Sequence, residues 1–198
     1  MPYPRGQLNV DLLGALEGWL PNGQHEPSAI DLTQEALMGS NQQMLAFLNH
    51  LLELIQERVM YTQRHVGPAW TAGRTLRERI GSCRDLAMLM VACCRVAGLP
   101  ARFVSGYQLQ QPAPEQYDLH AWAEVYLPGA GWRGFDPSAG REVNDRYVVL
   151  ATSSKPELTA AVSGTFSGPL NTDSELSWTI NAEEESSETS AQSLVQAV

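Results

Sequence analysis

The chain has 198 residues, a length that fits one medium-sized domain built around a single core. Its composition, with 43% hydrophobic and 18% charged residues, excludes collagen-like, coiled-coil and wholly disordered proteins. The formal net charge of −9 disfavours attraction to phosphate backbones and to anionic membrane surfaces. We therefore expect no nucleic-acid partner and no membrane partner.

Cysteine usage and hydropathy indicate the compartment. The chain has no apolar run of about 18 residues and no apolar segment typical of a signal peptide near its start. Its three cysteines are an odd number, and the adjacent pair Cys93 and Cys94 lacks the spacing of metal ligands. We expect free thiols, a cytoplasmic location, and neither metal nor cofactor; the sequence gives no indication of the oligomeric state.

Apolar periodicity predicts helices in the first half of the chain. Three-and-four spacing indicates a short helix over 8–20, a weaker one over 29–38 and a firm amphipathic helix over 41–61. Residues 62–75 are rich in Gly, Pro and Thr and are typical of a loop, with a single helical turn over 76–80. The N-terminal half is therefore predicted to be helical.

A buried central helix is predicted over 83–97, where apolar side chains occur nearly all around the helix axis. Ser82 is a good N-cap, and Asp85 follows three residues later, as in a capping box. Cys83 is therefore predicted to be the first residue inside this helix.

After the central helix the hydrophobic period changes to two, which is typical of strands. Strands are predicted over 101–109, 120–127, 132–136 and 146–151, with a turn over 128–131 and weaker strands over 161–166 and 175–181. The fold class is α+β, with the central helix packed on an antiparallel sheet. We divide the chain into a partly helical extension (1–40), a core (41–181) and an acidic, Ser-rich, disordered tail (182–198).

Cys83 is the first candidate for chemistry. A thiol in the first turn of a helix lies near free backbone N–H groups and the positive end of the helix dipole, which favour the thiolate form. Arg84 adds positive charge, and capping occupies Asp85. Such a nucleophile needs a base and a group that orients the base.

His120 and Asp136 are the candidates for these two roles. His120 begins a predicted strand, but alternation places it on the face away from the small side chains that would pack against the helix. Asp136 ends the next strand; pairing Leu127 with Trp132 across the turn sets it opposite residue 123. A bulge or a register shift is then needed to bring the two side chains together.

Four segments carry a resemblance to a known family. They are G-S-C-R-D-L-A (81–87), A-G-L-P-A-R-F-V-S-G-Y (97–107), H-A-W-A-E-V-Y-L-P-G-A-G-W (120–132) and F-D-P (135–137). In this order they resemble the transglutaminase-like superfamily of papain-like cysteine enzymes, and specifically its bacterial members. The resemblance is dense over about 75–145 and absent from the acidic tail.

The resemblance implies a papain-like fold with Cys83 as nucleophile, His120 as general base and later acid, and Asp136 as the group that orients the imidazole. Such a triad attacks an amide and passes the thioester acyl group to water or to an amine. The expected partner is a peptide or protein substrate, with an amine co-substrate in the case of cross-linking. By analogy with bacterial members we favour a peptidase or amidase over a cross-linking enzyme.

The second oxyanion donor and the class of protein each have more than one candidate. The backbone N–H of Cys83 is one oxyanion donor, and Trp70, Tyr107 and Trp122 are candidates for a second donor or for the cleft wall. Bacterial members commonly carry a further β-rich domain upstream, so we expect a short form or a fragment. The alternative from another class is a catalytically idle peptide-binding module that retains the fold.

Overall fold

The computed structural model describes residues 14, 16–20, 25–41, 43–110, 112–162, 164, 167–169 and 179–180. The predicted tail lies outside these residues, as do most of the predicted helix over 8–20 and most of the strand over 175–181. Within the predicted helix over 8–20, Glu17–Trp19 form a 3-10 turn. The weak strand predicted over 161–166 is wrong where it is described: residues 161 and 162 form a bend, and exposed Val162 has no sheet to pack on.

Four α-helices lie within the described residues. In chain order they are α1 (Pro27–Gly39), α2 (Met44–Arg58), α3 (Ala72–Glu78) and α4 (Cys83–Val96). Helices α1, α2 and α4 confirm the predictions within a few residues. Helix α3 begins four residues earlier than predicted, because the Thr71 side chain caps it by accepting a hydrogen bond from the Arg74 N–H over 3.3 Å. None of the described helices is long and apolar enough to cross a membrane.

The strands form two sheets. A short parallel pair joins β1 (Met60–Tyr61) to β2 (Ile80–Gly81). The second sheet is antiparallel and has the order β6-β5-β4-β3-β7, with β3 Ala101–Gln108, β4 His120–Leu127, β5 Gly131–Asp136, β6 Arg141–Glu142 and β7 Tyr147–Ser153. The predicted α+β class is confirmed.

Helix α4 packs against one face of the five-stranded sheet. The small side chains of Ala121 and Ala123 on β4 allow this close approach, as the alternation along the strand predicts. Helices α1 and α2 cover the other side of α4 and complete the main apolar core. On the opposite sheet face, Trp122 packs with Val104 and Tyr147. The N-terminus of α4 thus lies near the end of the sheet where β4 begins.

The β4–β5 register differs by one residue from the prediction. Leu127 pairs with Gly131, so continuing the ladder places Asp136 opposite Trp122. The loop is shorter than predicted: the Ala130 N–H bonds to the Leu127 carbonyl over 3.0 Å, and Gly131 already belongs to the strand with φ +74°. Because a one-residue shift exchanges the faces of a strand, Asp136 comes to the His120 face.

Candidate active site

Cys83 is the first residue of α4, as predicted, and its side chain is half-buried. The capping box is present: Asp85 Oδ2 accepts from both the N–H and the hydroxyl of Ser82, each over 2.8 Å. Cys83 packs against Phe103 and Ala121 of the sheet. The cap thus fixes where the helix begins and holds the thiol at the sheet end.

Asp85 also anchors the loop before α3. Its Oδ1 accepts from the Trp70 N–H over 2.7 Å and from Arg64 Nη2 over 2.5 Å. Burial opposes ionisation of this carboxyl, but the hydrogen bonds from Trp70, Ser82 and Arg64 outweigh it and lower the pKa of Asp85. Arg84 donates to two carbonyl oxygens of the same loop. A single buried carboxylate therefore connects the helix start to the loop beside it.

Asp136 is completely buried, and five hydrogen bonds satisfy its carboxylate. Oδ1 accepts from the Ser138 N–H and hydroxyl over 2.9 and 2.6 Å, and from the Ala139 N–H over 3.2 Å. Oδ2 accepts from His120 Nε2 over 2.7 Å and from the Tyr147 hydroxyl over 2.8 Å. Burial raises the pKa of Asp136, but these donors and the charge of His120 lower it further than burial raises it. The carboxylate therefore stays ionised.

The turn after Asp136 is tied to α2. Gln56 Nε2 donates to the carbonyl oxygens of Pro137 and Ser138 over 2.5 and 3.1 Å. Gly140 in this turn has φ +64° and packs against the Gln56 side chain. A polar residue on the amphipathic helix thus holds the turn that supplies three of the five donors to Asp136.

His120 is the first residue of β4 and lies opposite Gly106. Its ring lies 6.2 Å from the Trp122 ring, on the face away from α4. β4 begins at this residue, and the first turn of α4 lies at the same end of the sheet, where Cys83 packs against Ala121.

The charge state of His120 follows from its partners. Burial disfavours the imidazolium, but the hydrogen bond and charge of Asp136, together with Cys83, raise the pKa of His120 to about 9. Since Nε2 is occupied by Asp136, Nδ1 is the ring nitrogen left to exchange a proton with a further group. The charge of an imidazolium near the sulfur is what a cysteine nucleophile requires.

The three predicted cleft candidates lie at different places. Trp70 lies between two guanidinium groups, with Arg74 4.0 Å and Arg64 4.8 Å from its ring centre. Trp122 is fully buried, its ring centre lies 6.2 Å from that of His120, and its indole Nε1 has no hydrogen-bond partner among the described residues. Tyr107 lies near the end of β3, paired with Val148 of β7. Their predicted roles stay predictions.

Sequence reasoning missed two tyrosines near the site. Tyr147 bonds Asp136, and Tyr61 lies half-exposed on β1, which pairs with the residues just before α4. Burial raises the pKa of Tyr61, and the negative charges of Cys83, Asp136 and Asp118 raise it further. The apolar period extends to residue 61 and conceals the end of α2 at Arg58, so no sequence signal separated Tyr61 from the helix.

The other two cysteines lie in the core. Cys93 and Cys94 are completely buried, and all three cysteines are free, as predicted. Burial raises the pKa of Cys93 to about 12, although a hydrogen bond with Thr33 opposes the shift. Burial also raises the pKa of Cys94 well above its ordinary value. Cys83 is therefore the one cysteine that reagents and substrates can reach.

Comparison with known proteins agrees with this geometry. The model of the transglutaminase-like superfamily matches residues 31–137, which are 107 of the 198 residues. This match spans α4 and the strands that carry His120 and Asp136. The chain therefore belongs to the transglutaminase-like superfamily, and the resemblance stated from the sequence motifs is confirmed.

Two curated relatives illustrate the range of similar proteins. An uncharacterized protein of Mycobacterium tuberculosis is 39% identical over 85 residues, which cover 38% of this chain and 27% of the relative. A protein-glutamine gamma-glutamyltransferase of Pseudomonas aeruginosa is 40% identical over 67 residues, or 30% of this chain and 10% of the relative. The chain thus spans about a quarter or less of the length of these two relatives.

Two solved structures share the fold. A protein from Cytophaga hutchinsonii, described as a "Putative Cysteine Protease", superposes with a TM-score of 0.60 at 25% identity, covering 90% of this chain and 62% of that chain. The periplasmic domain of TgpA from Pseudomonas aeruginosa superposes with a TM-score of 0.52 at 27% identity, covering 69% and 52%. The predicted papain-like architecture is confirmed at the level of the fold.

Proposed function

We propose that the chain is a cysteine enzyme that cleaves amide bonds in peptides or proteins through a thioester on Cys83. One observation carries this proposal: His120 bonds Asp136 over 2.7 Å at the sheet end where α4 begins, and Cys83, the first residue of α4, is among the groups that raise the pKa of this histidine. Two of its members have pKa values displaced in the directions that favour a charged pair. Membership of the transglutaminase-like superfamily supports the same chemistry.

The first half of the reaction forms the acyl-enzyme. The Cys83 thiolate attacks the amide carbonyl carbon, and the C–O π electrons move onto the oxygen of a tetrahedral intermediate. When this intermediate collapses, the C–N bond breaks and the imidazolium of His120 gives its proton to the departing nitrogen. A neutral amine leaves, and a thioester and a neutral imidazole remain. Asp136 keeps the ring oriented by accepting from Nε2 throughout.

The second half releases the acyl group. Neutral His120 takes a proton from a water molecule as the water oxygen attacks the thioester carbon. Collapse of this second intermediate breaks the C–S bond, which releases a carboxylic acid and restores the thiolate beside the imidazolium. The backbone N–H of Cys83 is one donor for the developing oxyanion, because N–H groups in the first turn of a helix have no intrahelical acceptor.

The test is capture of the acyl-enzyme by mass spectrometry. The full chain is incubated with a peptide library, and the adducts are located by digestion and sequencing. We expect an acyl adduct on Cys83 and new carboxyl termini or deamidated side chains in the peptides. Cys83→Ala should give neither product, and His120→Ala should give almost none.

His25→Ala is the matched control for His120→Ala, because His25 lies before α1 and takes no part in the site. Its adduct yield should equal that of the unmodified chain. If the unmodified chain forms no adduct with any peptide, or if Cys83→Ala cleaves equally well, the proposed function is wrong. The first of these outcomes favours the idle peptide-binding module.

A second candidate function is transfer of the acyl group to an amine. It is favoured by the relative that is a protein-glutamine gamma-glutamyltransferase. It is also favoured by Asp118, an exposed carboxylate near the site. Asp118 and Cys83 both raise the pKa of the Tyr61 phenol. Such a carboxylate attracts a protonated amine to the rim of the site.

Adding a small primary amine to the same incubation distinguishes the two candidates. Hydrolysis predicts free acids whether the amine is present or not. Transfer predicts amide products that carry the mass of the amine, and Asp118→Asn should then raise the amine concentration needed for half-maximal transfer. Glu115→Gln is the control, because it removes one exposed carboxylate from the same loop.

A further inference from the structure

Tyr147 begins β7, an edge strand that supplies none of the site residues predicted from the sequence. Its hydroxyl donates to Asp136 Oδ2 over 2.8 Å, and the same oxygen accepts from His120 Nε2 over 2.7 Å. Tyr147 is only 9% exposed, so water hardly competes for this bond. Two donors therefore share the negative charge of one buried oxygen.

Packing fixes the direction of the Tyr147 hydroxyl. The phenol ring meets Trp122 edge-to-face, with 5.3 Å between ring centres, and lies 6.1 Å from the His120 ring. A Cβ at residue 106 would lie 2.0 Å from the Val148 carbonyl oxygen and 2.6 Å from the Trp122 ring, so glycine lets both β7 and Trp122 approach β3 closely. The position of the phenol thus depends on the packing of β3, β4 and β7.

We propose that Tyr147 is a positioning residue that weakens the hold of Asp136 on the His120 proton and so sets the upper pH limit of the imidazolium. The Tyr147 hydroxyl withdraws negative charge from Asp136 Oδ2. The carboxylate then stabilises the proton on His120 Nε2 less strongly. The effect of Tyr147 on the His120 pKa does not depend on the proposed function. Only its effect on the pH dependence of catalysis rests on that function.

Tyr147 stays a donor over the relevant pH range. Burial raises the pKa of the phenol to about 12, helped by the charge of Asp136 and opposed by Arg141. The hydroxyl therefore keeps its proton while His120 titrates near 9. Within the part of the chain that the structure describes, the titratable groups that act on or face His120 are Asp136, Cys83 and Tyr147.

The experiment is an NMR titration of the His120 imidazole in the full chain and in Tyr147→Phe. Removing the hydroxyl leaves Asp136 Oδ2 with His120 alone, so the titration midpoint should rise by about 0.5–1 pH unit, or about three- to tenfold in proton affinity. Tyr126→Phe is the matched control, because Tyr126 packs on Trp132, away from the site. Its midpoint should equal that of the unmodified chain.

A second variant keeps the proposal falsifiable if Tyr147→Phe fails to fold. Site-specific 3-fluorotyrosine at position 147 retains the ring and is a stronger donor, so the His120 midpoint should fall. The proposal would be overturned if the His120 midpoint were unchanged in both variants. It would also be overturned if the midpoint fell in Tyr147→Phe or rose with 3-fluorotyrosine. A purely structural role would lower the melting temperature and leave the midpoint where it was.

The titration needs no substrate, so its result is independent of the proposed function. If no peptide acylates Cys83, the amide-cleaving function fails while the shift at His120 still decides the role of Tyr147. If the chain cleaves amides, the alkaline limb of kcat/KM should move upward in Tyr147→Phe by the same amount as the NMR midpoint, with KM unchanged.

Discussion

His120 is held in its charged form by its bond to Asp136 and by the influence of Cys83, against the cost of burial. The imidazole of an unperturbed histidine titrates near about 6.5, whereas Asp136 and Cys83 raise the pKa of His120 to about 9. At neutral pH the resting site therefore contains an imidazolium between a carboxylate and a sulfur. In the proposed reaction, the imidazolium of His120 gives a proton to the departing amine.

Asp136→Asn tests the source of this charge. The substitution keeps the shape but removes the anion, while burial still disfavours the imidazolium, so the pKa of His120 should fall and the alkaline limb of kcat/KM should move to lower pH. We also expect kcat to fall by about 10³-fold or more, since the amide favours the wrong tautomer. The measurement is the pH–rate profile of peptide cleavage.

Asp145→Asn is the control for Asp136→Asn, because Asp145 is an exposed aspartate in the turn before β7. It removes one negative charge without touching the site, so both kcat and the alkaline limb should be unchanged. An alkaline limb in Asp136→Asn equal to that of the unmodified chain would show that Asp136 does not hold the proton.

At the residue scale the sequence indicated Cys83, His120 and Asp136 as candidates but not the side chains that bond to them. Cys83 could be predicted because a cap signal marks the start of α4. Ser138 was predictable in principle, since Asp-Pro-Ser is typical of turns in which the aspartate accepts from the following residues. Tyr147 was not, because its contact with Asp136 depends on the pairing of β7 with β3, which no local pattern reveals.

At the scale of elements, one carboxylate joins the start of α4 to the loop beside it. Asp85 is completely buried and accepts from Ser82, Trp70 and Arg64. The sequence predicted the capping part of this arrangement. It did not predict the loop contacts, because the partners lie 15 and 21 residues away in a segment without periodicity.

Asp85→Asn should therefore cost more stability than the loss of a helix cap. Removing the buried carboxylate leaves the Arg64 guanidinium without its ionic partner, and we expect the free energy of unfolding to fall by about 3 kcal/mol or more, against about 1 kcal/mol for a cap alone. The measurement is urea unfolding near neutral pH.

Asp31→Asn provides the comparison, because Asp31 is exposed on α1 and loses the same charge. Its free energy of unfolding should lie within about 0.5 kcal/mol of the unmodified chain. If Asp85→Asn costs no more than about 1 kcal/mol, the loop contacts of Asp85 contribute little to stability.

Register is the element-scale feature that sequence reasoning gave wrongly. The prediction counted Gly131 as part of the turn, whereas its positive φ places it as the first residue of β5. This one position decides whether Asp136 faces His120 or the helix. Turn geometry set by glycine conformation is thus as important for the site as the identity of its side chains.

At the scale of the whole molecule, buried ionised groups define the pH range of stability. Asp85 and Asp136 both have lowered pKa values in the folded chain. Their stabilising contribution is present above the unfolded value of about 4 and is lost as the pH falls through their folded values. The raised pKa of His120 contributes below about 6.5, and this contribution is lost as the pH rises through about 9.

The free energy of unfolding should therefore fall on both sides of a maximum between about pH 4 and pH 6.5. Denaturant unfolding across the pH range measures this curve. The acid loss should be smaller in Asp136→Asn, which has one fewer carboxylate to protonate, and the alkaline loss should be smaller in His120→Gln. An unchanged slope in both variants would contradict the assignment of these groups.

The central claim, that His120 activates Cys83 as a nucleophile, is tested most directly by the pH dependence of Cys83 alkylation with a small neutral reagent. Mass spectrometry of digested protein reports the rate at Cys83 separately from the buried Cys93 and Cys94. We predict that the rate between about pH 6 and pH 8 changes only a few-fold in the unmodified chain and in His25→Ala, but rises by about tenfold per unit in His120→Ala, as for an isolated thiol. Rates that rise equally steeply in all three proteins would contradict the account.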